Sequence, residues 1–101
     1  MAKDKHIYGE VDNKTDLKKV FSEIRDDVEK ANSRPKLTEL YKRAGYLITL
    51  TAAPAWKKKF DGDIQGIRKT AEEEFGKTAR KINSQAKKIG AQGDYDESWG
   101  N

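Results

Sequence analysis

At 101 residues the chain can build one hydrophobic core and is too short for two independent domains, so every functional surface must share that unit. Apolar residues make up 35% and charged residues 38%, near the limit at which burial offsets chain entropy, so periodicity has to decide whether the chain folds. It contains no cysteine, which excludes disulfides, thiol nucleophiles, zinc ribbons and iron–sulfur ligation and makes a reducing cytoplasm the expected setting.

The formal net charge of +4 is unevenly spread. Residues 34–60 carry seven basic side chains against the single Glu39, whereas residues 1–33 carry seven against eight acids, and residues 94–101 hold Asp94, Asp96 and Glu97 with no base. A basic middle and an acidic end are therefore the electrostatic landmarks.

Residues 1–13 show no sustained period, although Ile7, Tyr8 and Val11 are potential anchors, and the stretch is expected to be a flexible arm. Met1–His6 lacks an apolar leader core, and the longest apolar run, near Tyr46–Ala53, falls far short of the about 20 residues that span a bilayer. Neither secretion nor a membrane partner is expected.

From Leu17 the apolar residues Leu17, Val20, Phe21, Ile24, Val28 and Ala31 follow the 3, 4 spacing of one helical face. Asn13 or Thr15 can cap this first helix, Asp16 suits its positive end, and Asn32-Ser33-Arg34-Pro35 ends it. Pro35 fits a first helical turn, where its missing N–H has no partner to lose, so it opens a second helix with the stripe Leu37, Leu40, Tyr41, Ala44, Leu47, Ile48 and Thr51. The β-preferring Thr49 and Thr51 would permit a strand, but the unbroken phase favours helix. Tyr46, Leu50 and Ala53 form a second apolar row on the opposite face. Either this helix lies in the middle of the bundle, or the row is a patch for a partner or a second copy.

After Pro54 one stripe runs through Trp56, Phe60, Ile64, Ile67, Ala71, Phe75, Ala79, Ile82, Ala86 and Ile89. It fits one long helix, or a short helix followed by a long one capped by Asp61 or Asp63; Asp61-Gly62-Asp63 is a break signal and tips the reading towards a kink or short break. Lys87 and Lys88 suit a helix C-terminus, and Gly90 suits a left-handed cap. Residues 91–101, acidic and aromatic without a period, are expected to be a flexible tail. The expected fold is all-α: an antiparallel three-helix bundle over residues 14–90, with or without an extra short helix, between the arm and the tail.

Chemistry has little to stand on. His6 is the only histidine and lies in the arm, and Glu72, Glu73 and Glu74 are expected on a solvated face, with Glu73 poised to pair with Lys77. Asp61 to Glu72 resembles a calcium loop at its first, third, sixth and twelfth positions, yet Ile67, Arg68 and Lys69 interrupt the donor set and the segment carries helical phase. No nucleotide-binding or hydrolase motif occurs, so a non-enzymatic protein with no cofactor and no metal is expected.

Two surfaces remain. Arg34, Lys36, Lys42, Arg43, Lys57, Lys58 and Lys59 form a candidate polyanion-binding set, which makes nucleic acid one expected partner class. Tyr46 and Leu50, with Tyr95 and Trp99 of the tail, form a candidate partner-binding set. The tail aromatics either fold back onto the bundle and shield the basic surface or serve as a docking segment, unless the tail is merely solubilising. The leading expectation is a protein-interaction adaptor or regulator, monomeric unless two copies meet through Tyr46 and Leu50; the alternative is nucleic-acid binding through residues 34–60.

Overall fold

The computed structural model describes residues 11–98. The chain forms α1 (Lys14–Lys30), α2 (Arg34–Leu50), α3 (Pro54–Lys59) and α4 (Ile64–Lys88), with no strand among the described residues. The expected all-α bundle is the observed architecture. His6, Ile7, Tyr8 and Trp99 lie outside the described residues.

Local chemistry accounts for the helix ends. The Asn13 side chain accepts from the Asp16 amide at 2.8 Å, and the Asp16 carboxylate accepts from the Asp12 amide at 3.0 Å, a reciprocal cap on α1. α2 has Pro35 in its first turn but no side-chain cap bond, no acid in its first turn and no base in its last. Burial of Leu37, Leu40, Ala44, Leu47 and Ile48 therefore holds it. Helix wins over strand at its end because Leu47 and Ile48 are buried in phase with Leu37, Leu40 and Ala44; Thr49 donates to the Gly45 carbonyl at 3.2 Å and buried Thr51, at the cap, to the Ile48 carbonyl at 2.6 Å.

Asp61-Gly62-Asp63 is a break, not a kink. Gly62 adopts φ 91°, a left-handed conformation available cheaply only to glycine, and the chain turns between α3 and α4. Trp56 and Phe60 nevertheless stay in the core, their rings 5.4 Å apart edge to face. Asp63 occupies the position before α4, but its side chain makes no cap bond and pairs with Lys14 at 3.6 Å. The segment that resembles a calcium loop is helical from Ile64 onward. At the far end Gly90, at φ 78°, closes α4 with the paired bonds Gly90 N to Lys87 O, 3.2 Å, and Ala91 N to Ala86 O, 2.7 Å.

Cross-helix pairs give the directions. Lys14 with Asp63, Arg25 with Glu74 and Glu29 with Lys81 step along α1 and α4 together, so these helices run parallel. α2 runs opposite: Arg34 reaches Asp94 beyond the end of α4, while Tyr41 packs on Phe75 farther back. α4 packs more extensively on α1 and on α2 than those two do on each other. The central helix is thus α4, which is the longest at 25 residues. The second apolar row of α2 is not covered by a neighbouring helix along its length, since Tyr46 is 49% exposed.

Val11, named from the sequence as an anchor of the arm, is fully buried in the core. Two further expectations are corrected. The tail is docked over 91–98 instead of flexible, because its backbone and Tyr95 find hydrogen-bond partners on α2 and α4. Glu74 is only 4% exposed, because Ile67, Ala71, Glu74 and Thr78 continue a 4, 3, 4 spacing that turns it towards α1. Arg25 donates to Glu74 Oε1 at 3.0 Å and to Thr78 Oγ1 at 3.2 Å, and Lys77, expected to pair with Glu73, reaches Glu74 Oε2 at 3.3 Å. The Thr78 hydroxyl donates to the Glu74 carbonyl at 2.9 Å. Nearby, the exposed Lys81–Glu29 pair holds the Glu29 carboxyl below its usual range through the hydrogen bond and then the charge.

Removing one partner of a buried pair leaves a desolvated charge, whereas replacing both with apolar groups does not. Arg25→Ala is expected to destabilise the fold by about 2–4 kcal/mol in urea unfolding, the lower end reflecting the remaining Lys77. Arg25→Met with Glu74→Leu should recover most of that loss; a double variant as unstable as the single one would contradict this account.

Candidate protein-binding surface

Six of the eleven residues singled out from the sequence lie on α2, and three of these share its outer side. Leu37, Leu40, Ala44, Leu47 and Ile48 point inward, which turns Lys42, Tyr46 and Leu50, spaced by four, onto one outer row. Tyr46 stands at the centre, beside a shallow, largely apolar depression walled by Tyr41, Lys42, Gly45 and Thr49. Leu50 is half-buried and packs against the core at the end of the row.

The seven basic residues do not act as one surface. Arg34 pairs with Asp94 at 3.1 Å, Lys36 and Arg43 share Glu39 at 3.5 and 3.4 Å, and Lys59 pairs with Asp12 at 2.9 Å. Among the described residues, Lys42, Lys57 and Lys58 form no ion pair. The basic segment is thus partly neutralised by acids from both ends of the chain, and screening by solvent keeps each exposed pair weak.

Tyr95 is engaged within the molecule. Its ring lies 4.9 Å from the ring of Tyr41 and beneath the Arg34 guanidinium at 4.9 Å, and its hydroxyl meets Thr38 Oγ1 at 2.6 Å. The buried amide of Asn83 donates to the Tyr95 carbonyl and accepts from the Tyr95 amide, both at 2.9 Å. Tyr41 completes the contact by donating to the Asp96 carbonyl at 3.0 Å. Sequence reasoning passed over Asn83 and Thr38; the available signal was a polar residue beside Ile82, inside the apolar stripe of α4.

No family model matches the chain, and no curated protein or solved structure matches it either. Among the described residues no group of three or more histidine, cysteine or carboxylate side chains is arranged to hold a metal ion, and no helix is long and apolar enough to cross a membrane.

Burial, and then the charge of Asp96, push the Tyr41 hydroxyl above its ordinary value of 10.0. The unfolded chain then loses this proton first, so the folded state loses stability as pH rises from about 10 towards the folded-state value and is unaffected by this group below that window. Tyr41→Phe should flatten the fall in urea stability as the pH rises above about 10. An unchanged alkaline slope would show that Tyr41 is not held in this way.

Proposed function

We propose that this protein is a small non-enzymatic module, an adaptor or regulator, that binds another protein through the outer face of α2. The observation that carries the reading is Tyr46, the large hydrophobic residue exposed among those described, at 49%. A tyrosine offers much apolar contact area with a polar tip and few rotatable bonds, which is why such residues anchor protein interfaces. The neighbouring depression is largely apolar and would accept an apolar side chain in return. Lys42, one turn away on the same row, adds a cation at the rim, so the fitting partner surface is an apolar pocket edged by acids. Internal pairing of Arg34, Lys36, Arg43 and Lys59 reduces the charge left for a phosphate backbone, and this favours a protein partner over nucleic acid.

Affinity capture from native cell extract, with and without nuclease, tests the reading. Capture should survive nuclease and fall about tenfold or more with Tyr46→Ser, as for a central interface anchor, while helix content and melting stay unchanged. Capture that vanishes with nuclease, persists in Tyr46→Ser and is lost when Lys42, Lys57 and Lys58 become Glu would replace it with nucleic-acid binding.

A further inference from the structure

The seam between α2 and α4 holds the segment from Gln92 to Glu97 in the way a recognition groove holds a peptide. Asn83, 8% exposed, pairs with both the N–H and the C=O of Tyr95, as a neighbouring β-strand would, and also donates to Glu97 Oε2 at 2.9 Å. The backbone approaches so closely that a Cβ on Gly93 would lie 2.7 Å from the Asn83 carbonyl oxygen, and one on Gly76 would lie 3.3 Å from the Glu97 carbonyl oxygen. Both glycines are therefore fitted to main-chain passage. Around this clamp stand an aromatic seat, formed by Tyr41, Thr38 and Arg34, and a cation, Arg34, which reaches the Asp94 carboxylate and donates to the Gln92 carbonyl.

We propose that this seam is a peptide-binding groove for an acidic, tyrosine-centred segment of a partner protein, and that residues 92–97 of this chain are its resident occupant. Several of the grips fall on main-chain atoms, namely the carbonyls of Gln92, Tyr95 and Asp96 and the amide of Tyr95, which any peptide carries. Selectivity comes from the side chains read directly, a tyrosine hydroxyl by Thr38 and two carboxylates, one by Arg34 and one by Asn83. Asn83 is the main-chain clamp of the groove: with the tail lifted away its amide faces water, and an occupant has to replace that water with the paired bonds to its own N–H and C=O. The charged grip is the releasable part, since Arg34 and Asp94 are 41% and 52% exposed. The short link from Gly90 to Gln92 keeps the tail at high effective concentration, so a partner segment competes with it and does not find an open site. The groove is separate from the Tyr46 row, although Tyr41 borders both, and the proposal does not require the reading of that row to hold.

The test is a labelled peptide with the sequence of residues 91–98, titrated by fluorescence anisotropy into the full chain carrying Tyr95→Ala and, in parallel, into the unaltered chain. Binding to the Tyr95→Ala chain should saturate at a concentration at least about tenfold lower than for the unaltered chain, whose tail competes in cis. It should be lost when the tyrosine of the peptide is replaced by alanine, and adding Arg34→Ala should weaken it about tenfold. Should Tyr95→Ala lose its cooperative melting, Asp94→Ala, at an exposed position, loosens the tail instead and should show the same ordering. No saturable binding to either loosened chain, with helix content retained, overturns the proposal. So does a concentration-dependent dimer of the unaltered chain that Tyr95→Ala abolishes, which would assign the groove to tail exchange between copies.

Discussion

The structure depends on one helix satisfying two neighbours at once. α4 presents Ile67, Ala71, Phe75, Ala79, Ile82 and Ala86 along its inner side and packs against both α1 and α2. A single narrow stripe would serve one contact. Here the stripe is widened by Thr70, Glu74, Thr78 and Asn83, polar residues that are also buried, so α4 is covered over a broad arc. Each added group then needs a partner, and among the described residues no buried side-chain nitrogen or oxygen lacks one.

Those partners shape the rest of the molecule. Glu74 and Thr78 call for Arg25, which sets the register of α1 on α4; Gln85 of α4 donates to the Ala31 carbonyl at the end of α1 at 2.8 Å. Asn83 calls for a main chain, and the tail supplies it. A chain with a modest apolar fraction thus closes its core with a mixture of hydrophobic contact and satisfied polar bonds, which specify geometry more sharply than apolar contact alone.

The same arrangement distributes the functional surfaces. With α4 central, α2 keeps an outward row, and Tyr46 on it stays exposed. The tail covers the other end of α2, drawing Arg34, Thr38 and Tyr41 into internal contacts and taking Tyr95 out of direct availability. Much of the positive charge concentrated in residues 34–60 is met by Asp12, Glu39 and Asp94, so a charge asymmetry that is plain along the chain is muted in the folded molecule.

The sequence by itself determined the helices, their inward faces and their ends. Apolar spacing, Asn13, Pro35, Pro54, Gly62 and Gly90 act through neighbours within a turn or two, where backbone geometry links position directly to direction. The outer row of Tyr46, Leu50 and Ala53 was legible for the same reason. Only the tertiary structure decided that α4 is central, that Glu74 is buried and that residues 92–97 lie in a groove. Each of these depends on which faces meet, through pairs such as Arg25 with Glu74, 49 residues apart, or Thr38 with Tyr95, 57 apart. Polar residues at such seams look like surface residues in the sequence, because their burial is stabilised by a partner that local periodicity does not reveal.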